Sequence, residues 1–133
     1  MGARPAPVGL LGGSFDPVHV GHLRTAWELL TDLKLAEVRF IPSGVPPHRA
    51  PAIASGELRL RMLEVAIAGQ PGFVVDDREL RREGPSYTID TLAELRASQP
   101  QRPLVLILGM DAFLGLPTWH RWREIVGLAH IVV

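Results

Sequence analysis

The chain has 133 residues and a mass of 14.6 kDa, enough to bury one core, and its 47% hydrophobic content excludes a mainly disordered polypeptide. Fourteen basic residues balance fourteen acidic ones, which excludes a protein that holds nucleic acid by charge alone and leaves anionic ligands to be caught locally. The absence of cysteine excludes disulfides, thiolate catalysis and Cys-based zinc sites.

The first apolar run, Val8–Leu11, reads as a strand. It runs into GGSFDPVHVGHL, Gly12 to Leu23, and then into a helical pattern carrying Leu23, Ala26, Trp27 and Leu30. Asp16 and Pro17 resemble an N-cap followed by a first-turn proline. A second strand is expected at Val38–Ile41, followed by PSGVPPHRAPAIASG, a loop long enough to suggest function. Ser55 is the expected N-cap of a second helix with Leu58, Met62, Val65 and Ala66 on its apolar face. After a third strand at Phe73–Val75, the charge run RELRRE, Arg78 to Glu83, reads as solvated surface, and REGPS reads as a loop. The third helix starts at Ser86 or Thr88, carries Ile89, Leu92 and Leu95, and stops before Pro100. Strand Leu104–Leu108 leads into GMDAF, a weaker helical pattern spans Thr118 to Val126, and a last strand is expected at His130–Val133.

Strands alternating with helices predict an α/β fold: a doubly wound, Rossmann-like parallel sheet with helices on both faces, in one domain spanning residues 1–133. Strands buried on both sides are continuously apolar, as LVLIL is. In the doubly wound order 3-2-1-4-5, the first and fourth strands are neighbours and the order reverses between them. Ligands bind at such a crevice, outside the carboxyl ends of the strands. GGSFDPVHVGH and GMDAF follow those two strands.

Gly12 and Gly13 suit a sharp backbone turn whose N–H groups approach a ligand, although two adjacent glycines alone also fit a turn with no ligand. His19 and His22 add weight to the ligand. They sit on one face at the positive end of a helix, where imidazole donors and free N–H groups suit phosphate oxygens. Zinc is the rival, but the spacing is not that of an i, i+4 zinc helix and no nearby Glu or Cys completes a set. G-x-G-x-x-G is absent, and the only lysine, Lys34, cannot supply a Walker A motif.

GGSFDPVHVGH resembles the signature of the nucleotidylyltransferase superfamily, whose H-x-G-H element is here His19, Val20, Gly21 and His22. PSGVPPHR, GPSYTIDTL and LGMDAFLGLPTWHRW follow in the order found in bacterial nicotinate-mononucleotide adenylyltransferases. The resemblance covers Val8 to Val133. It implies that nicotinate mononucleotide attacks ATP to give deamido-NAD and pyrophosphate. A phosphate monoester has a second pKa near ~6 and arrives largely deprotonated, so neither a general base nor a covalent intermediate is needed. Alignment and charge neutralisation remain.

The resemblance assigns His22 to the α-phosphate and His19 to the neighbouring phosphates, with Mg2+ carried on the triphosphate. It places Gly12, Gly13, Ser14, Phe15 and Gly109 around ATP, Ser14 and Phe15 through their backbone. Arg49 would add a cation that suits phosphate oxygens; taken alone it reads as an exposed arginine. Trp119 would lie against the pyridine, while Tyr87 and Thr88 would offer N–H groups to the carboxylate. Trp27 and Trp122 are taken as packing residues. Asp111 is either a partner for a ribose hydroxyl or metal, or simply a helix N-cap.

Members of the family continue through a later I-S-S-T-x-x-R element that nothing here matches, so a chain truncated at its C-terminus is expected. Two other functions remain open: a phosphopantetheine adenylyltransferase-like enzyme, against which SYT and PTW argue, and a non-catalytic nucleotide-binding module. LVLIL and the other apolar runs are too short for a bilayer, and MGARPAPVGLL lacks a signal peptide's apolar stretch. A cytoplasmic protein without membrane or nucleic-acid partners is expected.

Overall fold

The computed structural model describes residues 5–44 and 52–133. Five strands form one parallel sheet: β1 (Val8–Gly13), β2 (Glu37–Pro42), β3 (Phe73–Val75), β4 (Leu104–Ile107) and β5 (His130–Val132). Their order is β3-β2-β1-β4-β5, the expected doubly wound arrangement. Strand ends differ from the expected ones by a residue or two. The most consequential difference is at β1, which pairs as far as Gly13 opposite Pro42. Gly12 and Gly13 therefore finish the strand, and the chain turns only afterwards.

The helices are α1 (Val20–Asp32), α2 (Gly56–Ile67), α3 (Arg78–Arg81), α4 (Thr88–Ser98), α5 (Met110–Leu114) and α6 (Trp122–Leu128), with a 3-10 turn at Leu116–Thr118. The single pattern expected over Thr118–Val126 is thus broken, because Trp119 is extended and Arg121 adopts a left-handed φ of 51° before α6 begins. α1 ends cleanly at Lys34, also left-handed, where Leu35 N–H bonds to Leu30 C=O and Lys34 N–H to Thr31 C=O.

Alternate residues of β4 feed opposite faces of the sheet. Leu104, Leu106 and Leu108 join Val8, Leu10, Ile89, Leu92, Leu95 and Ile125 under α4 and α6. Val105 and Ile107 join Val38, Phe40, Ala26, Leu63 and Ile67 under α1 and α2. Each fully buried Leu or Ile contributes roughly 1.5 to 3 kcal/mol through removal from water. α4 turns the expected face inward.

α2 does not. Ser55 caps it, accepting Leu58 N–H at 3.1 Å, but the buried face is Arg59, Leu63 and Ile67. Leu58 and Val65 are exposed. Hydropathy gave the wrong face because a charged residue, Arg59, occupies a core-facing position where backbone carbonyls satisfy it. Trp27 also departs from expectation: it is 51% exposed, since α1 turns its neighbour Ala26 inward.

Candidate active site

The cleft opens where the sheet order reverses. Its floor is the carboxyl ends of β1 and β4, and its volume is about 820 Å³. Gly12, Gly13, Ser14, Phe15, His19 and His22 line one side. Tyr87, Thr88, Gly109, Asp111 and Trp119 line the rest, so the structure brings together the expected residues that it describes. Arg49 lies outside the described residues.

The turn after β1 differs in detail from the expected Asp-Pro cap. The N-cap of α1 is His19, not Asp16. Its Nδ1 accepts Gly21 N–H at 3.1 Å, and Nδ1 of His22 accepts His19 N–H at 3.1 Å, giving a reciprocal capping box built from two imidazoles. The rings stack with centroids 3.8 Å apart. An Nδ1 that accepts an N–H carries no proton, so each neutral ring carries its proton on Nε2. Among the described residues neither Nε2–H has an acceptor, so each can donate to a ligand in the cleft.

The capping box also explains the spacing of H-x-G-H. A Cβ at residue 21 would lie 2.9 Å from His19 Cε1 and 3.0 Å from Nδ1, so a side chain there would push the ring from the position in which it accepts that N–H. At Gly12 and Gly13, by contrast, a Cβ would meet only ordinary contacts at 3.8 Å. The protein's own packing does not require those two glycines.

Phe15 is the pivot of the turn. It takes a left-handed φ of 48°, which costs a non-glycine residue roughly 1 to 2 kcal/mol, and its ring is buried. That ring meets His22 edge-on at 4.9 Å and lies 5.9 Å from Phe40. Burial, and then the charge of neighbouring His19, lower the pKa of His22 from its ordinary value. Both favour the neutral ring. Asp16 serves the loop instead of the helix: its carboxylate accepts N–H groups of Ile53 at 2.6 Å and Ala54 at 3.0 Å. The bonds from Ala54 and Ile53 depress its pKa.

On the far side, Tyr87 is the N-cap of α4 and makes no side-chain capping bond. Among the described residues, the first N–H groups of α4 are thus without a side-chain partner at the positive end of the helix. Trp119 packs against the core cluster and lines the cleft at once. Asp111 lies in the first turn of α5, while Gly109 is the N-cap residue, so the simple N-cap reading of Asp111 is excluded.

Two cleft residues carry no sequence signal. His120 sits beside Trp119 with its ring 4.4 Å from that of Tyr87. Glu79 belongs to the charge run expected to be solvated, yet α3 turns it into the cleft, where it accepts the Thr91 hydroxyl at 2.7 Å. Burial raises its pKa. Two arginines of the run are tied down as well. Arg82 reaches Glu94 and Thr91, and Arg78 binds Asp76, which also accepts from Arg39. Burial alone would raise the pKa of Asp76, but these guanidinium bonds hold it below the usual value. Glu79 and Arg82 are drawn off the surface because their partners, Thr91 and Glu94, lie twelve residues further on, whereas Arg81 and Glu83 are exposed as expected.

No group of three His, Asp or Glu side chains converges as a metal cage among the described residues, and Asp16 is engaged by backbone. Asp111 is an exposed carboxylate that lines the cleft.

Several known proteins resemble this chain. A protein of Aeromonas hydrophila named "Probable nicotinate-nucleotide adenylyltransferase" is 58% identical over 127 residues, covering 96% of this chain and 59% of its own length. One of the same name from Methylococcus capsulatus is 57% identical over 127 residues, covering 95% of this chain and 60% of its own. The chain therefore spans about three fifths of the length of these relatives. A solved structure of Plasmodium falciparum nicotinic acid mononucleotide adenylyltransferase complexed with NaAD shares the fold, with a TM-score of 0.80 at 17% identity over 91% of this chain and 60% of that one. A family model described as cytidylyltransferase-like matches residues 10–133, and the chain belongs to that family.

Proposed function

We propose that the complete protein is a nicotinate-nucleotide adenylyltransferase, acting in the cytoplasm on ATP and nicotinate mononucleotide to form deamido-NAD and pyrophosphate. The observation that carries this reading is the pair of interlocked imidazoles, whose Nε2–H donors lie in a cleft that also holds the uncapped start of α4. The names of the relatives support the choice of acceptor.

In this reading His22 donates to the α-phosphate and His19 to the neighbouring phosphates. Neutral donors suit this role, because they stabilise charge that grows on phosphate oxygens without a proton transfer. Gly12, Gly13 and Gly109 leave room for the nucleotide, and the backbone of Ser14 and Phe15 borders it. Arg49 adds a cation toward the phosphates. Asp111 would help to hold magnesium carried on the triphosphate, which would supply further charge neutralisation; alternatively Asp111 accepts from a ribose hydroxyl.

The acceptor lies across the cleft. Trp119 faces the pyridine ring, and the N–H groups at Tyr87 and Thr88 receive the carboxylate, as a helix start receives any anion. The phosphate of the acceptor is left free to attack the α-phosphorus in line. No residue need remove a proton from it.

The test is pyrophosphate release by the complete protein from ATP and magnesium, with nicotinate mononucleotide, nicotinamide mononucleotide or phosphopantetheine as acceptor. Release with nicotinate mononucleotide, lost in His22→Ala, is expected. Release only with phosphopantetheine would move the protein to another acceptor. ATP binding without release from any acceptor would make it a nucleotide-binding module.

A further inference from the structure

We propose that Asp16 and Arg59 form an anchor that holds the Ser14–His22 turn in its ligand-receiving shape, which makes Arg59 a positioning residue for the transfer. This deepens the function proposed above and rests on it.

Arg59 is 4% exposed and lies on the core-facing side of α2, in line with Leu63 and Ile67. A guanidinium in such a place is costly unless its donors are engaged. Among the described residues no carboxylate lies within ion-pair distance of it. Its donors go to backbone carbonyls in three separate segments: Nη1 to Ser14 at 2.8 Å and to Ser43 at 2.9 Å, and Nε to Ala54 at 3.2 Å. These belong to the turn after β1, the end of β2 and the approach to α2. Arginine's rigid fork can bridge such acceptors, whereas lysine offers a single point of charge.

Asp16 completes the anchor from the other side. Its carboxylate accepts the N–H groups of Ile53 and Ala54. Ala54 is therefore held through its N–H by Asp16 and through its C=O by Arg59. Both ends of the anchor flank Phe15: Ser14 accepts from Arg59, and Asp16 accepts from the loop. Phe15 is the residue with left-handed φ, and its ring rests on His22. The anchor thus acts on the imidazole through Phe15, and Arg59 itself does not line the cleft.

Displacement of an aligned group by about 1 Å can cost on the order of a hundredfold in rate. The experiment measures kcat and KM for ATP by pyrophosphate release, together with Tm, in the complete protein carrying Arg59→Ala, Arg59→Lys or, as a packing control on the same helix face, Leu63→Ala. Arg59→Ala is expected to lower kcat by about tenfold to a hundredfold, with guanidinium ion at millimolar concentration restoring part of the loss. Arg59→Lys falls between the two proteins. Leu63→Ala lowers Tm while the folded fraction keeps the kcat of the unmutated protein and ignores guanidinium. An unchanged kcat in Arg59→Ala, an equal loss in Leu63→Ala, or no response to guanidinium overturns the anchor.

If Arg59→Ala does not fold, Arg59→Lys and Asp16→Asn carry the test, and a change in Tm with kcat intact overturns it. A silent unmutated protein overturns the reaction instead. The anchor is then read from ATP affinity, which Arg59→Ala weakens and guanidinium restores if the anchor holds, and which stays unchanged if it does not.

Discussion

The two sides of the cleft are built in different ways. The side that ends β1 is one continuous stretch; its imidazole bonds join neighbours in sequence, His19 to Gly21 and His22 to His19, while the turn before them is held from α2 by Arg59. The opposite side collects Glu79 from α3, Tyr87 and Thr88 from the start of α4, and Trp119 and His120 from the segment before α6. Local bonding makes the first side sensitive to single atoms. The second depends on packing between elements that lie far apart in sequence.

The sharpest way to break this comparison is to remove an imidazole. His22→Ala deletes a donor aimed at the phosphates and one half of the capping box, so kcat is expected to fall about 10²- to 10³-fold, read by pyrophosphate release. Gly21→Ala comes next and leaves both histidines in the chain. Its methyl group would stand 2.9 Å from the His19 ring, so the ring must leave its N–H partner. About a tenfold to hundredfold fall in kcat is expected, with roughly 1 kcal/mol of stability lost with the cap, read by thermal unfolding. Activity close to that of the unmutated protein in Gly21→Ala would show that the capping box does not orient His19.

The other side should respond in KM. Trp119→Ala removes a ring that meets the cleft while resting on the core. A rise of about tenfold in KM for nicotinate mononucleotide is expected, equivalent to roughly 1.4 kcal/mol, with KM for ATP unchanged. An equal rise for both substrates would erase the distinction between the two sides.

The same division decided what could be read in advance. The parallel α/β sheet followed from alternating apolar runs, its doubly wound order was the one assumed, and the two histidines, Tyr87 and Trp119 were marked by motif. Gly21 needed the ring geometry of His19 to be understood. Arg59 was invisible because hydropathy counts its charge against burial, and only the carbonyls of Ser14, Ser43 and Ala54 make that burial tolerable. Glu79 stayed hidden inside RELRRE for a related reason: its burial follows from where α3 docks beside Thr91, which its neighbours in sequence do not announce.

The smallest effects concern pH, and here the two sides should have opposite signs. Folding lowers the pKa of His22, through burial first and then the charge of His19. The folded protein thus prefers the neutral ring. Its contribution to stability is complete above the unfolded value near ~6.5 and is lost as pH falls through the lower folded value. Glu79 runs the other way, because burial raises its pKa above the ordinary 4.5. Its contribution is complete below that ordinary value and is lost as pH rises through the folded one, so at neutral pH the half-buried carboxylate opposes folding. Glu79→Gln keeps an acceptor for the Thr91 hydroxyl and removes the charge. It should therefore leave Tm at neutral pH equal or higher, whereas His22→Gln should flatten the fall in Tm between about pH 7 and pH 5. Thermal unfolding of the two variants across that range measures both slopes, and a lower Tm at neutral pH in Glu79→Gln would mean that the ionised carboxylate stabilises the cleft instead of straining it.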